Sequence, residues 1–319
     1  MIKAEHLSKW FATTRAVNDV SFSVEKGEVL GFLGPNGAGK STSMRMITGY
    51  LPIDRGKVTI GNFDIEADPI KAKSMMGYLP ENAPAYGDMT VSHFLHFVGS
   101  LRGLSGRKRA TAVNEVIETC VLQSVRHQAI DTLSKGYRHR ACFAQSILHD
   151  PDVLIMDEPT DGLDPNQKHE VRNLIKRMGE RKAIVISTHI LEEVDALCSR
   201  VIIINDGQLV FDGLPSDLKS RSSLAGAVTV SVQGQKFSDV GNRLEEVEGV
   251  AKVLCLQENN GSCRVRAFAG DDAKDDLAGR VHKALMNSGW EISELRTEEG
   301  RLDEVFRQIT TSDTGGGAK

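Results

Sequence analysis

Gly34-Pro35-Asn36-Gly37-Ala38-Gly39-Lys40-Ser41-Thr42 stands between the apolar run Val29-Leu30-Gly31-Phe32-Leu33 and the helix-prone Ser43-Met44-Arg45-Met46-Ile47. The order is strand, glycine-rich loop, helix, and the loop fits the pattern G-x-x-x-x-G-K-[ST]. In that pattern glycines let consecutive backbone N–H groups turn inward around a phosphate chain at a helix N-terminus. Lys40 then reaches the β- and γ-phosphates, Ser41 gives its hydroxyl to Mg²⁺, and Thr42 adds a further phosphate contact. Taken alone, the stretch also fits a glycine-rich turn that binds nothing. What surrounds it has to decide.

The chain has 319 residues, 40% hydrophobic and 26% charged, which suits about two globular domains with a sizeable core. No run approaches the roughly 18–20 apolar residues that cross a bilayer. The start, Met1-Ile2-Lys3-Ala4-Glu5, lacks the apolar stretch of a signal peptide, so a cytoplasmic chain is expected. Cys120, Cys142, Cys198, Cys255 and Cys263 are scattered and show no C-x-x-C spacing, which argues against a disulfide framework and a zinc site. A formal net charge of −4 attracts neither nucleic acid nor an anionic membrane surface, and no nucleic-acid partner is expected.

Weak alternation over residues 2–24 reads as antiparallel strands broken by Thr13-Thr14-Arg15, with Trp10 and Phe11 in a loop. Either aromatic there suits stacking on an adenine ring, and equally suits packing into a sheet edge. Residues 57–65 read as a hairpin around Gly61-Asn62, and Met76-Gly77-Tyr78-Leu79 as a strand stopped by Pro80. From about 88 to 150 the apolar spacing is helical. Strands then alternate with helices: Val153-Leu154-Ile155-Met156, Ala183-Ile184-Val185-Ile186-Ser187 and Val201-Ile202-Ile203-Ile204 are continuous apolar runs, as a buried, largely parallel sheet requires. Asp206-Gly207 makes a turn into one more strand. Residues 227–310 read as βαββαβ with a final helix, the order of a small ferredoxin-like unit, and the glycine-rich 311–319 as a disordered tail.

The order of the remaining motifs resembles an ATP-binding subunit of an ABC transporter. Leu133-Ser134-Lys135-Gly136-Tyr137 resembles the LSGGQ signature of that family. Val153 to Thr160, containing Asp157-Glu158, resembles Walker B, Gly162-Leu163-Asp164 the D-loop, and Ser187-Thr188-His189 the switch histidine. The resemblance implies an α/β fold over residues 1–222: a P-loop NTPase cassette with a RecA-like core, an antiparallel β subdomain and a helical subdomain, followed by the ferredoxin-like domain.

It also implies ATP and Mg²⁺ as cofactors and a role for each residue. Asp157 ends a buried strand and, with Ser41 and Glu81, would hold Mg²⁺. Glu158 is placed to act as general base on the attacking water, with His189 on the γ-phosphate and Lys40 on the phosphate chain. Phe11, the loop residues 34–42, Ser134, Gly136 and Asp164 would contact nucleotide, Ser134 and Gly136 that of a second cassette. One loop and one signature in the chain imply a homodimer.

Three positions depart from the family pattern: Lys135 where glycine is usual, Tyr137 where glutamine is common, and Glu81 in place of the Q-loop glutamine. Glu81 keeps an oxygen for the metal but puts a charge beside phosphate, so slow hydrolysis without a partner is expected.

The segments around Gly77-Tyr78-Leu79-Pro80-Glu81-Asn82-Ala83-Pro84, and the ending Gly289-Trp290-Glu291-Ile292 with Arg301 to Phe306, resemble a narrower branch: ATPases of ABC-2-type exporters, including the gliding-motility-associated kind. That branch implies a separately encoded multi-spanning permease and a peripheral position on the inner face of the cell membrane. The competing classes are a soluble ABC-type ATPase acting on ribosomes or DNA, and a regulatory nucleotide-binding module.

Overall fold

A computed structural model describes residues 1–82, 84–259, 261–270 and 276–311, and the tail expected at 311–319 lies, beyond its first residue, outside them. The chain forms two compact units, Met1–Pro215 and Ser216–Lys319.

The first unit is built on a six-stranded sheet in the order Gln208–Gly213, Arg200–Asn205, Val29–Leu33, Ala183–Thr188, Val153–Asp157, Met76–Leu79. All neighbours are parallel except Gln208–Gly213, which returns antiparallel through the turn at Asp206-Gly207. The continuous apolar runs are explained by burial on both faces. Leu30, Phe32, Val153, Ile155, Ala183 and Val185 enter one core, which also holds Met44 and Ile47 of helix Lys40–Ile47. Their sequence neighbours Val29, Leu154, Met156, Ile184 and Ile186 enter the other. Side chains of period two on a sheet covered from both sides make the strand interiors apolar throughout, and polar residues such as Asp157, Ser187 and Thr188 come at the C-terminal strand ends.

The first core is closed by an antiparallel sheet in the order Thr14–Val24, Ile2–Phe11, Arg55–Ile60, Phe63–Asp64. Here the chain departs from the sequence reading: Trp10 and Phe11 end a strand and do not lie in a loop. Phe11 pairs with Thr14 and Trp10 with Arg15. The two-residue turn Ala12-Thr13, with Ala12 at φ 51°, is short enough to carry the hairpin through the polar stretch.

The second core is closed by three helices, Val91–Leu101, Gly106–Thr119 and Lys135–Ile147, whose buried residues Phe94, Leu95, Val113, Ile117, Cys142 and Phe143 follow helical spacing.

In the second unit the four-stranded sheet runs Val250–Asn259, Ser262–Ala269, Val228–Gln233, Ile292–Thr297, with every neighbouring pair antiparallel. Helices Phe237–Glu245 and Leu277–Asn287 cover one face through Val240, Leu244, Val281 and Leu285. This is the ferredoxin-like arrangement that the βαββαβ order requires. Ser222 donates to Glu304 of helix Leu302–Thr311 at 2.5 Å, within the same unit.

Candidate active site

Parallel strands in register deliver their C-terminal ends to one edge, where open α/β sheets carry their ligands. Leu33 lies opposite Thr188, and Asp157 opposite Ser187. The loops that leave these strands therefore meet.

The first is the glycine-rich loop. Gly37 and Gly39 have φ of 82° and 104°, which only glycine adopts without strain, and Gly39 precedes the first turn of helix Lys40–Ile47. A Cβ on Gly34 would lie 2.3 Å from the Ile204 carbonyl oxygen, and one on Gly39 2.5 Å from that of Ala16. The loop thus presses on neighbouring backbone at both ends. Ala38 is buried at 3% exposure.

Lys40 folds back over the loop, its ammonium donating to the carbonyls of Gly34 at 2.7 Å and Pro35 at 3.1 Å. Burial lowers the pKa of Lys40, while the carboxylates of Glu158, Asp157 and Glu81 act in the opposite sense. A single ammonium is thus acted on by three acidic groups from two other segments.

Glu158 occupies an unusual backbone position for a non-glycine residue, φ 51°, and its N–H donates to the Ser187 carbonyl at 3.1 Å. The turn swings its side chain toward His189, whose Nδ1 is 2.9 Å from Glu158 Oε1. Burial raises the pKa of Glu158, and the His189 contact and Lys40 act to lower it. A carboxylate with a raised pKa is better matched to taking a proton from water. Asp157 is 3% exposed and accepts from the Ser187 hydroxyl, so its carboxylate is fixed just behind Glu158.

The loops enclose a cleft of roughly 310 Å³. Asn36, Gly37, Gly39, Lys40, Ser41 and Thr42 line one side, and Glu81, Glu158 and His189 the other. Ala16 and Asp161 also line it, and the sequence reading assigned neither. Asp161 was within reach, since it directly follows Glu158-Pro159-Thr160; Ala16 carries no chemical signal. Glycine turns at a helix N-terminus, a buried ammonium and a hydroxyl suit a triphosphate, and the oxygens of Ser41, Asp157 and Glu81 suit Mg²⁺. Among the described residues no group of His, Cys, Asp and Glu forms a metal site by itself.

Eight expected residues are not part of the cleft lining: Phe11, Gly34, Pro35, Ala38, Ser134, Gly136, Asp157 and Asp164. Ser134 caps helix Lys135–Ile147, accepting from the Tyr137 N–H at 3.4 Å, and Asp164 caps helix Pro165–Gly179, accepting from Gln167 N–H at 2.9 Å. Gly136 is packed so closely that a Cβ there would lie 2.2 Å from Gln167 Oε1, and Lys135 pairs with Asp161 at 3.2 Å. Phe11 is 47% exposed, while the Trp10 ring is covered by the guanidiniums of Arg15 and Arg55 at 4.9 and 5.8 Å.

Comparison with known proteins agrees with this geometry. A family model described as ABC transporter matches residues 17–161. The linearmycin resistance ATP-binding protein LnrL of Bacillus subtilis is 37% identical over 73% of this chain and 76% of its own length. The Nod factor export ATP-binding protein I of Bradyrhizobium diazoefficiens is 36% identical over 95% of this chain and 94% of its own. Among solved structures, an ATP-binding subunit of an ABC transporter superposes with a TM-score of 0.65 at 26% identity, over 69% of this chain and 92% of that one.

Proposed function

This chain belongs to the ABC transporter family, as an ATP-binding subunit and ATPase, and from that premise we propose that it drives a separately encoded, multi-spanning permease of the ABC-2 type, in the direction of export. The observation that carries the catalytic part is the contact of Glu158 with His189 beside the loop that presents Lys40. The similarity to an export ATP-binding protein along nearly the whole chain supports the transport part.

In this reading Lys40 exchanges the carbonyls of Gly34 and Pro35 for the β- and γ-phosphates of ATP. Ser41, Asp157 and Glu81 hold Mg²⁺, which neutralises phosphate charge when bound. Glu158 accepts a proton from water as its oxygen bonds to the γ-phosphorus, and the bond to the ADP oxygen breaks, giving ADP and phosphate. His189 holds Glu158 and the γ-phosphate in line. Ser134 and Gly136, at the N-terminus of helix Lys135–Ile147, and Asp164 would face the nucleotide of a second copy, where the helix end favours an anion. Phe11 would take the adenine side. ATP then pairs two copies and hydrolysis releases them.

No helix among the described residues is long and apolar enough to cross a membrane. We place the chain on the cytoplasmic face, against its permease.

The test is to pull the chain with Glu158→Gln from mildly solubilised native membranes in ATP and identify what accompanies it by mass spectrometry. A stoichiometric multi-spanning protein is expected. Ribosomal or DNA-associated proteins, or no companion, would overturn the transport reading while leaving the ATPase intact.

A further inference from the structure

Glu158 and His189 leave adjacent strands, Val153–Asp157 and Ala183–Thr188, and something must fix the gap between the two departing segments. Behind the cleft lies a carboxylate that touches both. Glu193, in helix Leu191–Leu197, is 1% exposed and does not line the cleft. Its Oε1 accepts from the Thr160 hydroxyl, two residues beyond Glu158 along the chain. Its Oε2 accepts from the Thr188 hydroxyl at 2.9 Å, directly before His189.

Both threonines are buried, at 1% and 0% exposure. Thr188 Oγ1 also accepts from the Ile190 N–H at 3.0 Å, so one hydroxyl ties down the backbone on either side of His189. Arg172, on helix Pro165–Gly179, approaches Glu193 Oε1 at 3.6 Å and supplies the opposite charge.

An ionised carboxylate is costly to bury, and an apolar side chain would fill the same space without that cost. The acid makes sense where both oxygens are needed as acceptors for donors on two different segments. We infer that Glu193 is a positioning residue: it clamps the segment after Glu158 to the segment before His189 and so sets the Glu158–His189 contact. The inference rests on the reading of Glu158 as general base and His189 as its partner. Displacing such a pair by an ångström is enough to lower turnover by about 100-fold, while the glycine-rich loop that binds the phosphates is left alone.

The experiment uses the full chain with Glu193→Gln, Glu193→Leu, Thr160→Val, Thr160→Ser and Glu158→Gln. Phosphate release is measured over a range of ATP concentrations, ATP binding directly, and thermal unfolding in parallel. Glutamine keeps one acceptor, and its amide can donate to the second threonine, so turnover is expected within about threefold of the parent. Leucine can do neither; kcat is expected to fall about 10- to 100-fold with KM and ATP affinity within about twofold.

If the leucine variant does not fold, the threonine pair carries the test. Thr160→Val should lose turnover at unchanged KM, and Thr160→Ser should restore it. A folded Glu193→Leu or Thr160→Val with parental kcat overturns the inference. So does a loss as large in Glu193→Gln as in Glu193→Leu, or one that appears equally in ATP affinity. Parental turnover in Glu158→Gln overturns the catalytic reading as well; loss in Glu158→Gln beside full activity in folded Glu193→Leu overturns the clamp alone.

Discussion

Glu158 Oε1 and His189 Nδ1 meet at 2.9 Å across the ends of two adjacent parallel strands. Glu158 is a partly buried carboxylate in the cleft whose pKa burial raises, and His189 orients it. Glu158→Gln keeps the shape and removes the base. Phosphate release should fall by about 100-fold or more while ATP binding stays within a few-fold. Single-turnover kinetics beside equilibrium nucleotide binding check this, and turnover near the parental value would rule out Glu158 as the base.

Gly34 and Gly37 separate two reasons for glycine in one loop. A Cβ on Gly34 meets backbone at 2.3 Å, whereas one on Gly37 meets nothing within 4 Å but sits at φ 82°. Gly34→Ala should therefore displace the loop, lowering stability by about 1–3 kcal/mol and weakening ATP binding sharply. Gly37→Ala should cost only about 1–2 kcal/mol of backbone strain. Thermal unfolding and nucleotide titration of the two variants distinguish them; equal effects would contradict the geometry.

Glu298, in the second unit, is 8% exposed and accepts from Thr229 at 2.5 Å, Arg266 at 2.9 Å and Arg296 at 2.8 Å. Burial alone would raise its pKa, but these donors and the two guanidiniums bring it down to about 2. The folded value lies below the unfolded one of 4.5, so the contribution is complete above the unfolded value and is lost as pH falls toward 2. Its size is at most about 3 kcal/mol. Unfolding followed through Trp290 in a Trp10→Phe background should show a steep loss of stability between those pH values. The loss should be flatter in Glu298→Gln, and identical pH slopes would remove the assignment.

Glu81 faces Lys40 across the cleft, in the place where the family pattern has glutamine. Its carboxylate adds a like charge beside the phosphates, worth about 1 kcal/mol in a hydrated site. The chain by itself should hydrolyse ATP slowly, and Glu81→Gln should raise that rate about fivefold. A fast basal rate that Glu81→Gln leaves unchanged would show that this charge does not limit hydrolysis.

The glycine-rich loop, the apolar strands and the helical stretch were legible because each depends on local chemistry: glycine torsions, side-chain period and burial on two faces. The order of motifs placed Lys40, Glu158 and His189 in one fold family before any contact was known. The hairpin through Trp10 and Phe11 was misread because its two-residue turn uses Ala12 at positive φ, a position for which alanine gives no signal. Asp161 and Ala16 were missed because one had no separate motif and the other is an alanine with no functional group.

By itself the sequence determined which residues could bind a phosphate chain and which could handle a proton, since those abilities belong to functional groups and to the torsions of single residues. Only the tertiary structure decided which of them meet. Strand register brought Asp157 opposite Ser187 and set Glu158 against His189, and the helix that follows His189 placed the buried carboxylate of Glu193 between Thr160 and Thr188. Distances between strands are fixed by the packing of the whole sheet, and no local stretch of sequence encodes them.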